Sequence, residues 1–494
     1  MPAQNNAPKP TLGLFDGTMI VAGSMIGSGI FIVSADIVRN TGSAGWLIAV
    51  WLITGFMTLT AAVSYGELSG MFPKAGGQYV YLKEAYNPLM GFLYGWSFFA
   101  VIQTATIAAV GVAFSKFLAY MVPELGNNYF LFDAGITKVY SGQLISIAII
   151  CILTYINSRG VKEGKFIQVV FTSAKLLALF GLIVFGFTLA KHSYWQENWS
   201  TGFNAMQDFG AKDGNGNLHP SGWIGIGGSA LVGAIAASMV GSIFSSDAWN
   251  NVTFIAGEMK NPKRNIGLSL LLGTLIVTVI YVSANLMYLN VLPLKPVMNE
   301  LGQVVNEGQN LAFPTDDRVA VAAANSIFPS FGTTLIAILI MVSTFGCNNG
   351  LILAGARVYH TMANDGLFFK SVGKLNKNSV PQVALWLQCI VASIWSLSGK
   401  YGQLLDMISF VVVLFYMLTI AGIFILRKKR PDAERPYKAF GYPVLPLLYI
   451  LMGAAFCTLL IIYKPEYTWP GFIIVLIGIP LYYLAIAGKK QSLS

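Results

Sequence analysis

The chain has 494 residues, of which 55% are hydrophobic and only 11% are charged, and its mean hydropathy is +0.64. Because a soluble domain carries about 25% charged residues, this composition excludes a soluble globular enzyme of this length. Apolar runs recur along the whole chain, and a helix needs about 20 such residues to cross a bilayer. Backbone at that depth must satisfy its own hydrogen bonds, so the sequence predicts an all-α polytopic membrane protein.

The apolar runs predict about twelve transmembrane helices, which we number spans 1 to 12. The net charge is +10, and most of the 31 Lys and Arg residues fall in loops and span ends on one side of the membrane. Since cytoplasmic loops are enriched in these residues, we expect both termini in the cytoplasm. The expected spans are 14–37, 43–70, 88–122, 142–159, 165–190, 224–256, 266–290, 334–362, 380–399, 402–426, 442–463 and 468–488.

Span 1 contains three glycines within seven residues, at Gly23, Gly27 and Gly29. Each costs a helix interior roughly 0.5–1 kcal/mol relative to alanine, so the segment favours a kink or an unwound stretch. A break frees backbone N–H and C=O groups, which hydrocarbon tolerates only where they line a cavity or meet a ligand. The alternative is a close-packing face between helices, and this segment alone does not decide between the two.

Span 6 carries a cluster of polar residues in the middle of an apolar helix, including Ser245, Ser246 and Asp247. Paired interruptions in corresponding helices of two halves are the best sequence indication of a transporter site. Spans 1 and 6 correspond if spans 1–5 and 6–10 are inverted repeats. That symmetry is inferred from the span count and the two breaks.

Lys175 lies about ten residues inside span 5, roughly 15 Å along the helix. A charge at that depth costs at least about 2.5–3.5 kcal/mol, so it indicates a functional role unless the real depth is shallower. Glu67, near the end of span 2, is interpreted as a structural or gate salt bridge. Asp406 is expected near the outer interface, and Asn348 and Asn349 place amides inside span 8.

Other chemistry finds little support in the sequence. No Walker-type glycine loop, nucleophile–base arrangement or metal-ligand spacing of histidines occurs, so we expect no enzyme activity, metal or cofactor. The four cysteines lie in or beside apolar segments, where a disulfide framework is not expected. The segment 213–217 is interpreted as an exposed turn rather than a calcium loop.

Four sets of residues, in this order, resemble one family. They are Gly27–Phe31; Glu67–Leu68 with Phe72–Leu82; Asp247–Asn250 followed by Glu258–Asn265; and Arg430–Tyr437 before Gly441–Pro443. Together they resemble the amino acid–polyamine–organocation (APC) superfamily, and within it the L-type amino acid transporters and their bacterial relatives. The resemblance runs from about residue 11 to residue 463.

The resemblance implies a core of five plus five helices in inverted repeats, with spans 1 and 6 broken and two helices added. The expected division is a cytoplasmic tail 1–13, a first repeat 14–190, an extracellular loop 191–223, a second repeat 224–426, a basic cytoplasmic loop 427–441, spans 11 and 12 at 442–488, and a cytoplasmic tail 489–494.

The resemblance also implies a substrate site between the two breaks. Amides near Ser28 and Gly29 would take the substrate carboxylate, carbonyls on both broken helices would take its α-ammonium group, and Phe244 would act as the gate. The expected substrate-binding residues are Ser24, Met25, Ile26, Gly27, Ser28, Gly29, Ile243, Phe244, Ser245, Asp247 and Trp249. Lys175, with Cys347 and Asn348, is expected where sodium-coupled relatives bind an ion, which argues for sodium-independent transport.

Two departures from the family pattern matter. Asp247 and Ala248 replace the glycine pair of animal members, and a carboxylate here could favour a cationic substrate or carry a proton. The loop 123–141 has no cysteine, whereas animal members use one there to join a heavy chain. We therefore expect no disulfide-linked heavy chain and a functional monomer.

The expected function is alternating-access transport of L-amino acids across the bacterial inner membrane, as a sodium-independent exchanger or facilitator of neutral amino acids. One alternative is a proton-coupled or cationic amino acid or polyamine permease that uses Asp247. Another is an amino-acid-binding membrane sensor or channel, although a sensor would be expected to carry a soluble signalling domain. No nucleic-acid partner is expected.

Overall fold

The computed structural model of the protein describes residues 10–73, 76–126, 129–133, 135, 138–160, 164–212, 218–299, 303–328, 331–398 and 401–491. The predicted turn at 213–217, most of the predicted N-terminal tail and the last three residues lie outside the described part of the chain.

Twelve apolar helices or helix pairs in the described residues correspond to the twelve predicted spans. Ten helices are long and apolar enough to cross a membrane, while span 9 and the first half of span 1 are shorter apolar helices. This confirms the predicted class, an all-α multi-pass membrane protein. The ten long helices are Ala44–Met71, Pro88–Leu118, Ser141–Arg159, Gly164–Thr188, Gly228–Ser245, Pro262–Val291, Phe331–Asn364, Tyr401–Lys429, Val444–Tyr463 and Pro465–Gln491, and span 9 is Gln382–Ser398.

Spans 1 and 6 are broken, as predicted. Span 1 consists of an α-helix Leu14–Met25, a 3-10 turn Gly29–Phe31 and a second α-helix Val33–Thr41. Span 6 runs as an α-helix over Gly228–Ser245 and resumes as the short helix Asn251–Phe254. The interruption in span 1 therefore falls on the predicted glycine segment. The division of the chain into two inverted repeats stays a prediction.

The segments between the spans form short elements. A pair of antiparallel strands, Phe130–Asp133 and Lys138–Tyr140, connects spans 3 and 4, and two further two-residue strand pairs lie between spans 5 and 6. Those pairs are Met206–Gln207 with Ile224–Gly225 and Ala211–Lys212 with Leu218–His219. The short α-helices are Gln78–Ala85, Trp195–Ser200 and Val319–Ile327, and the remaining 3-10 turns are Pro123–Leu125, Ala256–Glu258, Thr315–Asp317 and Lys370–Gly373.

We call the side of the molecule on which span 1 begins the N-terminal face, and the other side the opposite face. At the N-terminal face, the fully buried carboxylate of Glu67 accepts hydrogen bonds from Arg427 Nε at 3.0 Å and Nη2 at 2.7 Å. It also accepts one from the Ala439 amide at 2.7 Å, and Arg435 Nε lies 3.4 Å away. The salt bridge expected at Glu67 thus fastens span 2 to span 10 and to the loop that follows span 10.

Further contacts tie the other helix ends at this face. The amides of Thr11 and Leu12 both donate to the Glu258 carbonyl, which joins the start of span 1 to the end of span 6. The Glu258 carboxylate in turn pairs with Arg357 of span 8 at 2.8 Å, and Asp365 pairs with Lys83 at 2.6 Å. The N-terminal face is therefore closed by contacts between spans that lie far apart in sequence.

Replacing Glu67 by glutamine tests the strength of this closure. Removing one partner of a buried ion pair costs about 3–5 kcal/mol because the other charge stays buried and unpaired, and here two guanidinium groups lose their partner. We expect Glu67→Gln to lower the thermal unfolding midpoint of the detergent-solubilised protein clearly.

The matched control is Glu84→Gln, which removes a pair with Arg430 at 2.6 Å whose side chains are 30% and 47% exposed. Exposed pairs contribute about 0–1 kcal/mol, so this variant should unfold close to the wild-type temperature. Equal midpoints for the two variants would contradict the importance of the Glu67 contacts.

Candidate functional site

The break in span 1 exposes backbone groups at the centre of the molecule. The Gly27 amide donates to the Met25 carbonyl at 2.8 Å, which ends the first helix, and the 3-10 turn begins at Gly29. Because the first amides of a helical turn have no partner within that turn, they are available to an acceptor from outside. Amides in this position favour an anionic group such as a carboxylate.

Lys175 fills the carbonyl side of the same break. Its ammonium group is 1% exposed and donates to the carbonyl of Gly23, and also to that of Ile26 at 2.8 Å. Two carbonyls that would otherwise be unpaired are thus satisfied by a fixed cation on span 5. Lys175 is therefore buried at the break in span 1, and its role in place of an ion stays a prediction.

The two residues grouped with Lys175 behave differently. Cys347 Sγ lies 3.6 Å from the Ser24 carbonyl, so this thiol contacts the break. The Asn348 amide nitrogen instead donates to the Ile107 carbonyl of span 3 at 3.3 Å. Of the predicted trio, Lys175 and Cys347 come together at the break, and Asn348 faces a different helix.

Span 6 touches the break directly. A methyl group placed on Gly29 would lie 1.9 Å from Ser245 Oγ, so the two backbones approach at a distance that only glycine allows. The glycine segment is therefore both a break and a close-packing contact, and each of the two interpretations open at the sequence level holds for part of it.

Tyr281 of span 7, which was not predicted from the sequence, bridges the two broken helices. Its hydroxyl lies 3.0 Å from the Met25 carbonyl and 2.9 Å from the Ser245 carbonyl. A hydroxyl has a single hydrogen to donate, so it satisfies only one of these carbonyls at a time. The other carbonyl can therefore accept a hydrogen bond from a second donor, such as an ammonium group.

Tyr401, the first residue of span 10, covers the break from the opposite face. Its hydroxyl lies 3.1 Å from Ser28 Oγ, and its ring packs edge-to-face on Phe244 with centroids 6.0 Å apart. Phe244 is thus linked to the break through Tyr401, and its role as a gate stays a prediction. Tyr401 was not predicted, because its partner Ser28 lies far away in sequence.

A cavity of about 580 Å³ opens from the opposite face and ends at Tyr401. Ile32 and Val33 of span 1 and Gly241 of span 6 form part of its wall. The cavity leads from solvent toward the two breaks, while the N-terminal face is closed. The ionisable residues that line it are Asp36, Arg39, Lys116, His219, Glu307, Asp316, Asp317, Asp406 and Lys464, together with Tyr140 and Tyr401.

A charge cluster connects this cavity wall to Tyr401. Asp317 pairs with Arg39 at 2.9 Å and with Lys116 at 3.2 Å, and the Lys116 ammonium lies 5.6 Å above the Tyr401 ring. Burial by itself raises the pKa of the Asp317 carboxyl, but the charges of Arg39 and Lys116 outweigh it and hold that pKa well below its usual range. The loop at 315–317 is therefore fastened to spans 1 and 3 by an ionised carboxylate.

Asp247 and Trp249 lie on the N-terminal-face side of the break. Asp247 accepts a hydrogen bond from the Tyr416 hydroxyl of span 10, and the indole of Trp249 packs on Tyr65 and Tyr416 with centroids 4.7 and 5.1 Å apart. Two small cavities border Asp247, and neither lining includes a residue of the segment 24–29. These two residues contact a tyrosine cluster, and their part in substrate binding stays a prediction.

The described part of the chain contains no group of three or more His, Cys, Asp or Glu residues suited to hold a metal ion. The four cysteines are free, and the Sγ atoms of Cys151 and Cys389 lie 3.7 Å apart. The geometry of the site is that of backbone groups around a fixed cation.

Comparisons with known proteins identify the family of the chain. A family model described as "Amino acid permease" matches residues 12–482. The human large neutral amino acids transporter small subunit 2 is 27% identical over 489 residues, which cover 97% of this chain and 81% of the relative. The human b(0,+)-type amino acid transporter 1 is 28% identical over 493 residues, covering 98% and 91%.

The mouse Asc-type amino acid transporter 1 is 26% identical over 486 residues, covering 98% of this chain and 83% of the relative. The matches span almost the whole chain and include both broken helices. They confirm the resemblance drawn from the motifs. The chain belongs to the amino acid permease family, within the amino acid–polyamine–organocation superfamily.

Proposed function

We propose that this protein carries neutral L-amino acids across the membrane by alternating access, without sodium, as an exchanger or facilitator. The observation that carries the proposal is the Lys175 ammonium, which donates to the Gly23 and Ile26 carbonyls at the break in span 1. Relatives named as amino acid transporters, which align with at least 97% of this chain, support the substrate class.

The amides that follow the break would hold the substrate carboxylate, near Ser28 and Gly29. The α-ammonium group would donate to the carbonyls of Met25 and Ser245, where the Tyr281 hydroxyl satisfies only one acceptor at a time. Such a site binds the carboxylate and α-ammonium groups that amino acids share. The substrate side chain would lie in the volume beyond Phe244. The rest of the proposed site consists of Ser24, Ile26, Gly27 and Ile243.

The direction of opening supports an alternating-access cycle. The cavity at the opposite face reaches Tyr401, whereas the N-terminal face is held shut at Glu67 and Glu258. We propose that the N-terminal face is cytoplasmic, that the membrane is the bacterial inner membrane, and that this state faces outward with Tyr401 and Phe244 covering the site. Inward opening then requires the contacts at the N-terminal face to separate.

Lys175 also explains why sodium would not be needed. A sodium ion held by oxygen ligands and a lysine ammonium satisfy the same carbonyls, so the two compete for one position. Lys175 is covalently part of the helix and remains there throughout the cycle. We further propose that the chain acts as a monomer and without a disulfide-linked heavy chain, because the loop 123–141 has no cysteine.

Uptake by proteoliposomes tests this function. The purified protein should accumulate radiolabelled alanine or leucine at the same rate when sodium is replaced by choline, and unlabelled neutral amino acid inside the vesicles should accelerate uptake if the protein exchanges. Arginine and glutamate serve as the cationic and anionic comparisons. A requirement for sodium, or trans-stimulation by arginine alone, would remove the proposal, and single-channel conductance would indicate a channel.

Lys175→Met should strongly reduce transport without unfolding the protein. Hydrogen bonds from a charged donor are worth about 1.5–3 kcal/mol each, so the loss of two predicts at least about a tenfold fall in uptake. The control is Lys428→Met, at an exposed position in the last turn of span 10. Monodisperse elution of both variants in detergent checks folding, and normal uptake by Lys175→Met would overturn the role given to the ammonium group.

Gly29→Ala tests the close approach of the two breaks. The added methyl group would lie 1.9 Å from Ser245 Oγ, so the two helices must separate and the carboxylate site must distort. Binding of labelled leucine to the detergent-solubilised protein should fall below detection. Gly257→Ala is the matched control, since a methyl group there meets no atom within 4 Å. If both variants bind equally, the amides near Gly29 do not form the site.

A further inference from the structure

Asp247 is a buried acid that the proposed site does not use. It follows the last turn of the first half of span 6, and its carboxylate accepts a hydrogen bond from the Tyr416 hydroxyl. The next residue, Ala248, has a positive φ of 62°, a conformation that is unusual for a residue with a side chain. The acid is therefore held at a strained bend between the two halves of a broken helix.

Two small cavities include Asp247 in their lining, each with a volume of about 20 Å³. A cavity of this measure holds one water if it offers two or more polar partners. The first has Gln78, Asn250 and Asn251 in its lining, and the second has Thr58 and Ser246. Both therefore have the size and the polar lining that a single water needs.

Asn251 gives an independent sign that one cavity holds a polar guest. Its side chain is 6% exposed and lines the first cavity, and its amide nitrogen has no hydrogen-bond partner among the described residues. A buried donor without an acceptor costs about 1–3 kcal/mol, so a water molecule that accepts from it is favoured.

A polar path leaves this cavity toward the N-terminal face. The Asn250 amide donates to Gln78 Oε1 at 3.2 Å, and the Gln78 amide donates to Thr419 Oγ1 at 3.0 Å. Gln78 begins the short helix that follows span 2 at the N-terminal face. By contrast, neither small cavity shares a lining residue with the large cavity of the opposite face.

The groups that face Asp247 carry no compensating positive charge. Tyr94 of span 3, Tyr416 of span 10 and Tyr449 of span 11 line the two cavities, and Tyr65 of span 2 packs against Tyr416. Among the described residues that line either cavity, none is a lysine, arginine or histidine. An ionised carboxylate buried without a cation is strongly disfavoured, so this closed arrangement suits the neutral acid.

We propose that Asp247 is a proton-binding site whose protonation follows the pH on the side of the N-terminal face only. While that face is closed, Asp247 is a neutral carboxylic acid. When the face opens, the acid gives its proton to a water in the adjoining cavity, which yields a carboxylate and a hydronium ion. Closure requires the reverse transfer, so the step from open to closed slows as the pH on that side rises. This inference rests on the proposed transport function.

The test uses proteoliposomes with the protein inserted in one orientation, and with the pH set separately on the two sides. Leucine exchange by the wild-type protein should fall as pH rises at the N-terminal face and stay constant as pH varies at the opposite face. Asp247→Asn, a permanently neutral side chain of the same size, should exchange leucine at a rate independent of both. Asp432→Asn, at an exposed position of the loop after span 10, should keep the wild-type profile.

Tyr416→Phe separates a protonation role from a structural one. It removes the donor that favours the ionised carboxylate, so the midpoint of the pH profile should move to higher pH while the maximal rate is retained. Trapped pyranine should report no proton flow from the opposite face during uptake.

Each remaining outcome counts against the proton site. An Asp247→Asn variant with the wild-type pH profile, a wild-type profile that follows the opposite face, or proton entry with leucine would overturn it and leave transport standing. Loss of leucine binding in a folded Asp247→Asn protein would assign the residue to the substrate instead. A wild-type protein that transports no amino acid would refute the proposed function itself.

Discussion

Unpaired backbone groups in the middle of a membrane protein are the constraint on which the rest of this structure depends. Breaking span 1 frees carbonyls that lipid cannot satisfy, and the protein meets them with side chains from three other spans. Lys175 holds Gly23 and Ile26, Cys347 contacts Ser24, and Tyr281 bridges Met25 to span 6. The amides on the other side of the break are donors, so they need an acceptor. Among the described residues, no such set of side chains meets them. That asymmetry leaves a place for a carboxylate.

Different kinds of interaction separate the break from the two faces of the molecule. At the N-terminal face, Glu67 is fully buried between two guanidinium groups, so separating these helices exposes charges whose mutual attraction must be replaced by water. Toward the opposite face, Tyr401 covers the break with one hydroxyl contact and one aromatic contact. The closure at Tyr401, which has no ion pair, lies beside the open cavity. In the proposed cycle, this state would exchange substrate with the opposite face, and opening the other way would require these ionic contacts to separate.

The sequence predicted those parts of the site whose residues are energetically unfavourable within a single membrane-spanning helix. Three glycines and a mid-helix acid are expensive within a span, so the breaks were foreseeable, and a lysine at the depth of Lys175 required a partner in the interior. Tyr281, Tyr401 and Tyr416 were not foreseeable in the same way. A tyrosine within or at the end of a span is common, and the contacts that give these three their roles join residues far apart in sequence, such as Ser28 and Tyr401. Only the fold brings the partners together, although a search for hydroxyl groups at the level of the breaks would have drawn attention to Tyr281.

The break in span 6 separates the surroundings of Ser245 and Asp247, which were both predicted from the sequence as substrate-binding residues. Ser245 faces span 1, where its carbonyl shares Tyr281 with Met25, whereas Asp247, only two residues later, faces a cluster of tyrosines on the N-terminal-face side. A continuous helix turns by about 100° per residue, so two positions could still differ in direction, but the unwound bend at Ala248 removes the chain from the helical path altogether. A change in the tilt of either half of span 6 must therefore alter both environments together. The bend gives a physical reason for the proposed proton site at Asp247 to be linked to the proposed substrate site at Ser245, even though the two share none of the cavities described above.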